Sequence, residues 1–255
     1  MSKVVCEKKD GVAIITVNRP EALNALNREI IDDLEVIIDE IASDENVRAV
    51  VIGGTENFAA GADIKGMVDC NPEQARVFSF NGCYNKIMDL RVPTIAAIDG
   101  YALGGGLELA LCCDMRIAAE SAQLGLPETN LGIMPGAGGT IRLPRLVGYA
   151  KACELVLTGK IINAQDAEKI GLVNTVVPKE ELMTTAMKWC QKFTSKGKIS
   201  LETAKRTITK GLTFSSVSEA VAYEEDEWVK LFETEDQKEG MRAFIEKRKP
   251  VYTGK

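Results

Sequence analysis

The sequence predicts an α/β fold, on three observations. Short β-rich runs alternate with helical patterns through the N-terminal half. A wholly apolar stretch in mid-chain encloses one carboxylate, and the last quarter reads as helix alone. With 255 residues and 45% hydrophobic content the chain can bury a large core, and at 5% aromatic that core is built from Ile, Val, Leu and Ala.

In chain order, Val12 to Val17 is a β-rich run after the turn signal Asp10-Gly11. Ile30, Ile31, Leu34, Ile37, Ile38 and Ile41 form the apolar stripe of an amphipathic helix. Val47 to Ile52 is a short buried strand ending at Gly53-Gly54, a helical stretch covers Pro72 to Leu90, and Thr94 to Ile98 is another strand. Glycines 104 to 106 lead into a helix. From Tyr101 to Cys113 every residue except Glu108 is apolar or glycine, the pattern of a helix buried on all faces. Composition shifts near residue 195. Beyond it, Val217, Ala220, Val221, Trp228, Leu231 and Phe232 mark one apolar helical face, and Met241, Phe244 and Ile245 another. The expected organisation is a core over residues 1–195 holding the active site, then a helical region over 196–255. The apolar stripes of that region must bury against the core or against another subunit, which favours a symmetric oligomer.

Composition excludes several function classes. The chain contains no histidine, which removes serine–histidine and cysteine–histidine nucleophiles, histidine metal sites and imidazole acid–base chemistry. Proton transfer must then fall to carboxylates, Lys, Tyr or Cys. Thirty-seven acids against 31 bases give a net charge of −6, and the one dense basic cluster is Lys247-Arg248-Lys249, so neither nucleic acid nor an anionic membrane is an expected partner. Seven cysteines without C-x-x-C spacing read as small buried thiols in a reducing compartment. No apolar stretch approaches a membrane span and Met1 to Asp10 lacks a signal-type apolar region, so the expected location is the cytoplasm.

The chemistry gathers at glycines. A lone carboxylate in an apolar helix is costly to desolvate, and burial raises its proton affinity toward the range a general acid or base needs, so Glu108 is a candidate. The competing reading is an acid stabilised near a helix N-terminus. Gly104-Gly105-Gly106 strengthens the first, because free amides there can receive a developing oxyanion. A nucleotide loop does not fit: G-x-G-x-x-G would require glycine where Leu109 stands, and no Walker lysine follows. Phe58 to Lys65 is a second glycine- and alanine-rich segment. A third runs from Gly125 to Glu128 and on through Gly132 to Thr140, in which Glu128, taken on spacing alone, reads as a solvated loop acid.

Together these segments resemble the enoyl-CoA hydratase (crotonase) family over nearly the whole chain. The matching motifs are Asn18-Arg19-Pro20 with Ala22 to Leu26, Phe58 to Lys65, and Ala96 to Ala102 running into the triple glycine. Pro127-Glu128, Pro135 to Thr140, Leu157-Thr158-Gly159 and Glu239 to Lys249 complete the set. The resemblance implies a crotonase (ClpP/crotonase-like) spiral of ββα units with a helical C-terminal region, and a homotrimer or a hexamer built as a dimer of trimers. It places an oxyanion hole on the amides of Ala62 and Gly105, with Glu108 and Glu128 as the acid–base pair around one water. Ala22, Ala62, Asp63, Ile64, Lys65, Phe244 and Lys247 match segments that bind coenzyme A. The implied reaction is reversible syn hydration of a short trans-2-enoyl-CoA such as crotonyl-CoA to its 3-hydroxyacyl-CoA, in fatty-acid or butyrate metabolism. Coenzyme A enters as part of the substrate, with no metal and no other cofactor.

Two positions depart from the family pattern: Glu21 stands where many relatives carry a base, and Leu126 where a glutamine is common. The rival readings are an enoyl-CoA isomerase or another acyl-CoA enzyme of the same fold, and a non-catalytic, RNA-associated binding protein. The acidic balance and the presence of both glutamates disfavour the last.

Overall fold

The computed structural model describes residues 2–255. β1 (Val4–Lys9) and β2 (Val12–Val17) form a hairpin across Asp10-Gly11, followed by α1 (Arg28–Ser43), β3 (Ala49–Gly54), the single turn α2 (Pro72–Ala75) and α3 (Asn81–Asp89). Then come β4 (Thr94–Ile98), β5 (Tyr101–Leu103), α4 (Gly105–Ala110), β6 (Met115–Ala119) and β7 (Gln123–Gly125). The chain continues through α5 (Gly139–Val147), α6 (Tyr149–Thr158), β8 (Ile161–Asn163), α7 (Ala164–Lys169), β9 (Thr175–Val177) and α8 (Leu182–Thr194). It closes with α9 (Lys198–Gly211), α10 (Val217–Lys230) and α11 (Glu235–Ile245).

A six-stranded sheet in the order β1-β2-β3-β4-β6-β9 is parallel except for the first hairpin, and β5-β7-β8 form a second, smaller sheet. Consecutive strands β4 and β5, then β6 and β7, divide between the two sheets, so each turn of chain lays one strand in each sheet and stacks on the turn before. This is the spiral of the crotonase fold. Both faces of the large sheet are covered, which is why its strands read as continuous apolar runs. Val12, Ala49, Val51, Ile95, Ala97 and Ile117 pack under α8 through Leu182, Ala186 and Cys190. The alternate residues Ala13, Ile15, Val50, Ile52, Ala96 and Ile98 join the main core with Ile30, Ile31, Leu34, Ile38 and Ile41 of α1.

The expected strand Thr94–Ile98 is found as read, and the stripe on residues 30 to 41 is the buried side of α1, capped by the Asn27 side chain at 3.1 Å from the Ile30 amide. One expectation is corrected and one refined. The glycines lead into a helix as read: Tyr101–Leu103 pairs as β5, and Gly104, at φ +50°, turns the chain into the buried helix that begins at Gly105. The stretch Pro72 to Leu90 is not one helix, being broken where Phe80 takes a left-handed conformation (φ 54°).

Beyond residue 195 the chain is helical, as expected. Trp228 packs edge-on against Phe232 with ring centroids 4.7 Å apart. Val217, Phe244 and Ile245 remain largely exposed on the single chain. Cys83, Cys112, Cys113 and Cys190 are buried free thiols, whereas Cys6, Cys70 and Cys153 are only half-buried. Among the described residues no helix is long and apolar enough to cross a membrane.

Candidate active site

The spiral register places the site. Ala59, just after β3, bridges Ala102 of β5 in parallel. Ala62 and Gly105 each lie three residues beyond these partners, so stacked turns bring them side by side, and an ideal Cβ on Gly105 would stand 3.6 Å from the Ala62 nitrogen. Neither amide N–H donates to another group among the described residues. The next turn continues the stack: Leu103 pairs with Gly125 of β7, and the chain then enters the short 3-10 turn Pro127–Leu131 that carries Glu128. Gly106 cannot be any other residue without disturbing this stack, since a Cβ there would fall 2.1 Å from the Ala59 carbonyl oxygen.

These turns line a cavity of about 310 Å³, with Ala62, Gly105, Glu108 and Glu128 on its wall. Its remaining side chains are largely apolar, among them Met67, Phe78, Phe80, Leu131, Ile133 and Met134.

Glu108, on α4, is 2% exposed. Its Oε1 accepts the Ala137 N–H at 2.8 Å and the Gly139 N–H at 2.7 Å. Burial pushes its proton affinity up, while the two amides and the nearby Arg142 guanidinium pull it back toward the ionised form. Gly139 is required close by, because its Cβ would come 3.0 Å from that same oxygen.

Glu128 has the opposite environment. Its Oε2 is buried and has no hydrogen-bond partner among the described residues, and Gly104 opposite leaves the space its carboxyl fills. Burial pushes Glu128 up to about 7; its own backbone N–H opposes the rise and the charge of Glu108 adds to it. Burial thus raises both carboxyls, but only Glu108 has backbone amides that favour its ionised form, while Glu128 retains a proton for much of the time near neutrality. Read on spacing, Glu128 was expected to be a solvated loop acid. Its half-burial beside Glu108 follows from the β5–β7 pairing, which no local pattern encodes.

The positions matched to coenzyme A separate. Ala62 and Ile64 line the cavity. Ala22, Asp63, Lys65, Phe244 and Lys247 do not. Asp63 is engaged within the fold: its side chain accepts the Lys65 amide at 3.2 Å and pairs with Arg19 at 2.8 Å. Phe244 is 85% exposed on α11. Leu126 is fully buried behind the site rather than on the cavity wall, and Glu21 lies at the surface 3.8 Å from Arg19.

Sequence reading also missed a set of residues on α3. Tyr84, fully buried, donates from its hydroxyl to the Gly105 carbonyl at 2.7 Å. Asn81 donates to the Gly136 carbonyl at 3.1 Å. Asn85 accepts from Arg142 at 2.8 Å, and Arg142 in turn donates to the Ala137 carbonyl at 2.6 Å. The only sequence signal for them is spacing: 81, 84 and 85 share one helical face.

A mostly apolar cavity with two carboxyls and a pair of unengaged backbone donors is the equipment of an acid–base enzyme. The chain belongs to the enoyl-CoA hydratase/isomerase family, whose model matches residues 7–255. It is 44% identical over 253 residues to the short-chain-enoyl-CoA hydratase of Clostridium acetobutylicum, covering 98% of this chain and 97% of that one. It is 42% identical over 256 residues to the crotonyl-CoA hydratase of Syntrophomonas wolfei, covering 99% and 98%. In structure it resembles an enoyl-CoA hydratase from Bacillus anthracis, with a TM-score of 0.96 at 41% identity over 99% of this chain and all of that one.

Proposed function

We propose that the protein catalyses reversible syn hydration of short-chain trans-2-enoyl-CoA thioesters, crotonyl-CoA among them, to 3-hydroxyacyl-CoA. The observation that carries this reading is the pairing of two carboxyls, one bonded by two backbone amides and one with a buried oxygen that has no partner among the described residues, beside the adjacent Ala62 and Gly105 amides. Hydration needs a hydroxyl delivered to Cβ and a proton delivered to Cα, while negative charge collects on the thioester oxygen. In this reading the Ala62 and Gly105 N–H groups receive that oxygen as it becomes enolate-like. Glu108, whose ionised form the Ala137 and Gly139 amides favour, positions and deprotonates the water. Glu128, which retains its proton near neutrality, supplies the Cα hydrogen and recovers a proton from the one water releases, so the pair is restored after each turnover. In the dehydration direction the roles reverse.

The names of the relatives support the short-chain assignment, and the cavity's apolar walls suit an unsubstituted acyl tail. Coenzyme A enters with the substrate, and the reading assigns no metal or separate cofactor. Ala22, Asp63, Lys65, Phe244 and Lys247 remain proposed coenzyme contacts outside the cavity lining. The exposed apolar residues of α10 and α11 support a division near residue 195 into a spiral core and an oligomerising helical region, with a trimer or hexamer in the cytoplasm. The test is loss of the conjugated enoyl-thioester absorbance when the protein meets crotonyl-CoA, with Glu108→Gln and Glu128→Gln alongside. Retention of full hydration by either variant would overturn the two-carboxylate account, and no hydration by the unaltered protein would favour an isomerase or another acyl-CoA reaction on this fold.

A further inference from the structure

Glycine is the least restrained residue in the chain, and three in succession give the Gly105 amide no side chain of its own to hold its direction. Gly104 is tied by its N–H to the Gly125 carbonyl at 2.9 Å, and Gly106 is wedged against Ala59. Between them, Gly105 is held from outside by Tyr84, whose hydroxyl donates to its carbonyl. The loop holding Glu108 has the same need. There the Asn81 amide donates to the carbonyl of Gly136, and that carbonyl belongs to the same peptide group as the Ala137 N–H that bonds Glu108. A hydrogen bond accepted at one end of a peptide group polarises it and strengthens the bond donated from the other. Arg142, anchored by Asn85, fixes the following peptide in the same way through the Ala137 carbonyl.

We propose that α3 is the positioning element of this site, with Asn81 setting the grip of the Ala137 amide on Glu108 and Tyr84 setting the direction of the Gly105 amide. Neither side chain touches the reacting atoms: Asn81 acts through the peptide group that carries the Ala137 N–H, and Tyr84 pins Gly105 from its other side, through the Gly105–Gly106 peptide next to the one that carries the Gly105 N–H. The proposal rests on the roles given above to Glu108 and Gly105, and it assigns the two halves of the chemistry to two separable residues on one helical face. The groups facing Glu108 are Arg142 from α5, Glu128 from the 3-10 turn, Tyr84 from α3 and Cys112 just after α4. Arg142 stays charged throughout, burial drives Tyr84 and Cys112 far up, and Glu128 governs the alkaline side. The acid limb of the activity profile therefore reports Glu108.

The experiment compares Asn81→Leu and Tyr84→Phe with the unaltered protein by two measurements. One is the pH profile of crotonyl-CoA hydration. The other is the infrared carbonyl stretch of bound butyryl-CoA labelled with carbon-13 at the thioester carbon, a saturated ligand that cannot react. Asn81→Leu is expected to move the acid limb up by about half a pH unit and to leave the carbonyl stretch in place. Tyr84→Phe is expected to return the stretch toward its value in water and to lower kcat roughly tenfold with KM within about twofold, the acid limb unmoved. Any other pattern overturns the proposal, including both readouts moving together in both variants, which would mark simple loosening of the fold. If the unaltered protein neither shifts the butyryl-CoA carbonyl nor hydrates crotonyl-CoA, the hydratase reading itself falls, and that result is visible before either variant is made.

Discussion

Replacing Glu128 with glutamine is expected to move activity and stability in opposite directions. The substitution keeps the shape of the side chain and removes its proton and its charge. With an ordinary value near 4.5 and a folded value of about 7, the native state resists ionising this group, so the native protein is penalised increasingly as pH rises from about 4.5 to 7 and fully above that. The full rise from about 4.5 to about 7 would correspond to about 3 kcal/mol, but the carboxyl is only half-buried, and solvent screening reduces this to about 1–2 kcal/mol. Glu128→Gln should therefore melt about 3–6 °C higher than the unaltered protein at pH 8 and at nearly the same temperature at pH 4.5. Hydration of crotonyl-CoA, followed by loss of enoyl absorbance at pH 7, should fall roughly 10²- to 10⁴-fold. An active Glu128→Gln enzyme, or a stability difference independent of pH, would refute the assignment of a raised proton affinity and a proton-donating role to this carboxyl.

Other outcomes follow from the same geometry. Glu108→Gln can keep both amide bonds through its carbonyl oxygen, so it should fold normally while losing about 10²-fold or more in kcat, measured by the same absorbance. Gly106→Ala drives a methyl into the Ala59 carbonyl and should cost about 3 kcal/mol or more in denaturant unfolding, with activity lost alongside. Asn24→Ala removes the buried amide that donates to the Thr55 and Asn57 carbonyls and accepts the Arg19 N–H. It also places alanine at φ 58°, and thermal melts should show a loss of about 2–4 kcal/mol. The pH profile of the unaltered enzyme should be bell-shaped in the hydration direction. Activity should fall below the range where Glu108 ionises and fall again above about 7, where Glu128 gives up its proton.

What the sequence makes legible here is whatever has a local physical cause. The β4 run is apolar throughout because both faces of its sheet are covered, and α1 shows its stripe because only one side is. Glu108 stands out because a carboxylate amid twelve apolar or glycine positions has an obvious desolvation cost. The three-residue strands β7, β8 and β9 are too short for any periodicity to register, and they exist through pairing with distant partners. Tyr101–Leu103 is likewise too short to show a period of its own, its extended form being imposed by Ala59 and β7. Arg116 illustrates the limit well. Nothing adjacent in the chain marks it as buried, yet its guanidinium lies in the core, held by the Leu172 carbonyl at 2.7 Å and the Cys113 carbonyl at 2.8 Å. Glu128, Asn81 and Tyr84 belong to this second kind: their neighbours are set by how turns of the spiral stack.

The equal offset from the Ala59–Ala102 bridge to Ala62 and Gly105 has a consequence for how such a protein can change. The gap between the two donors is inherited from the stacking of successive coils, so it is a lattice spacing of the backbone rather than a product of side-chain choice. Insertion or deletion of a single residue between 59 and 62, or between 102 and 105, would rotate one amide away and dismantle the pair. Length changes between 64 and 80, or between 131 and 137, would reshape the walls while leaving that spacing untouched. Engineering for a longer or bulkier acyl group therefore has its freest room between 64 and 80, where the spacing of the two donors is carried along unchanged, whereas a change between 131 and 137 must keep the Gly136 and Ala137 peptide that holds Glu108.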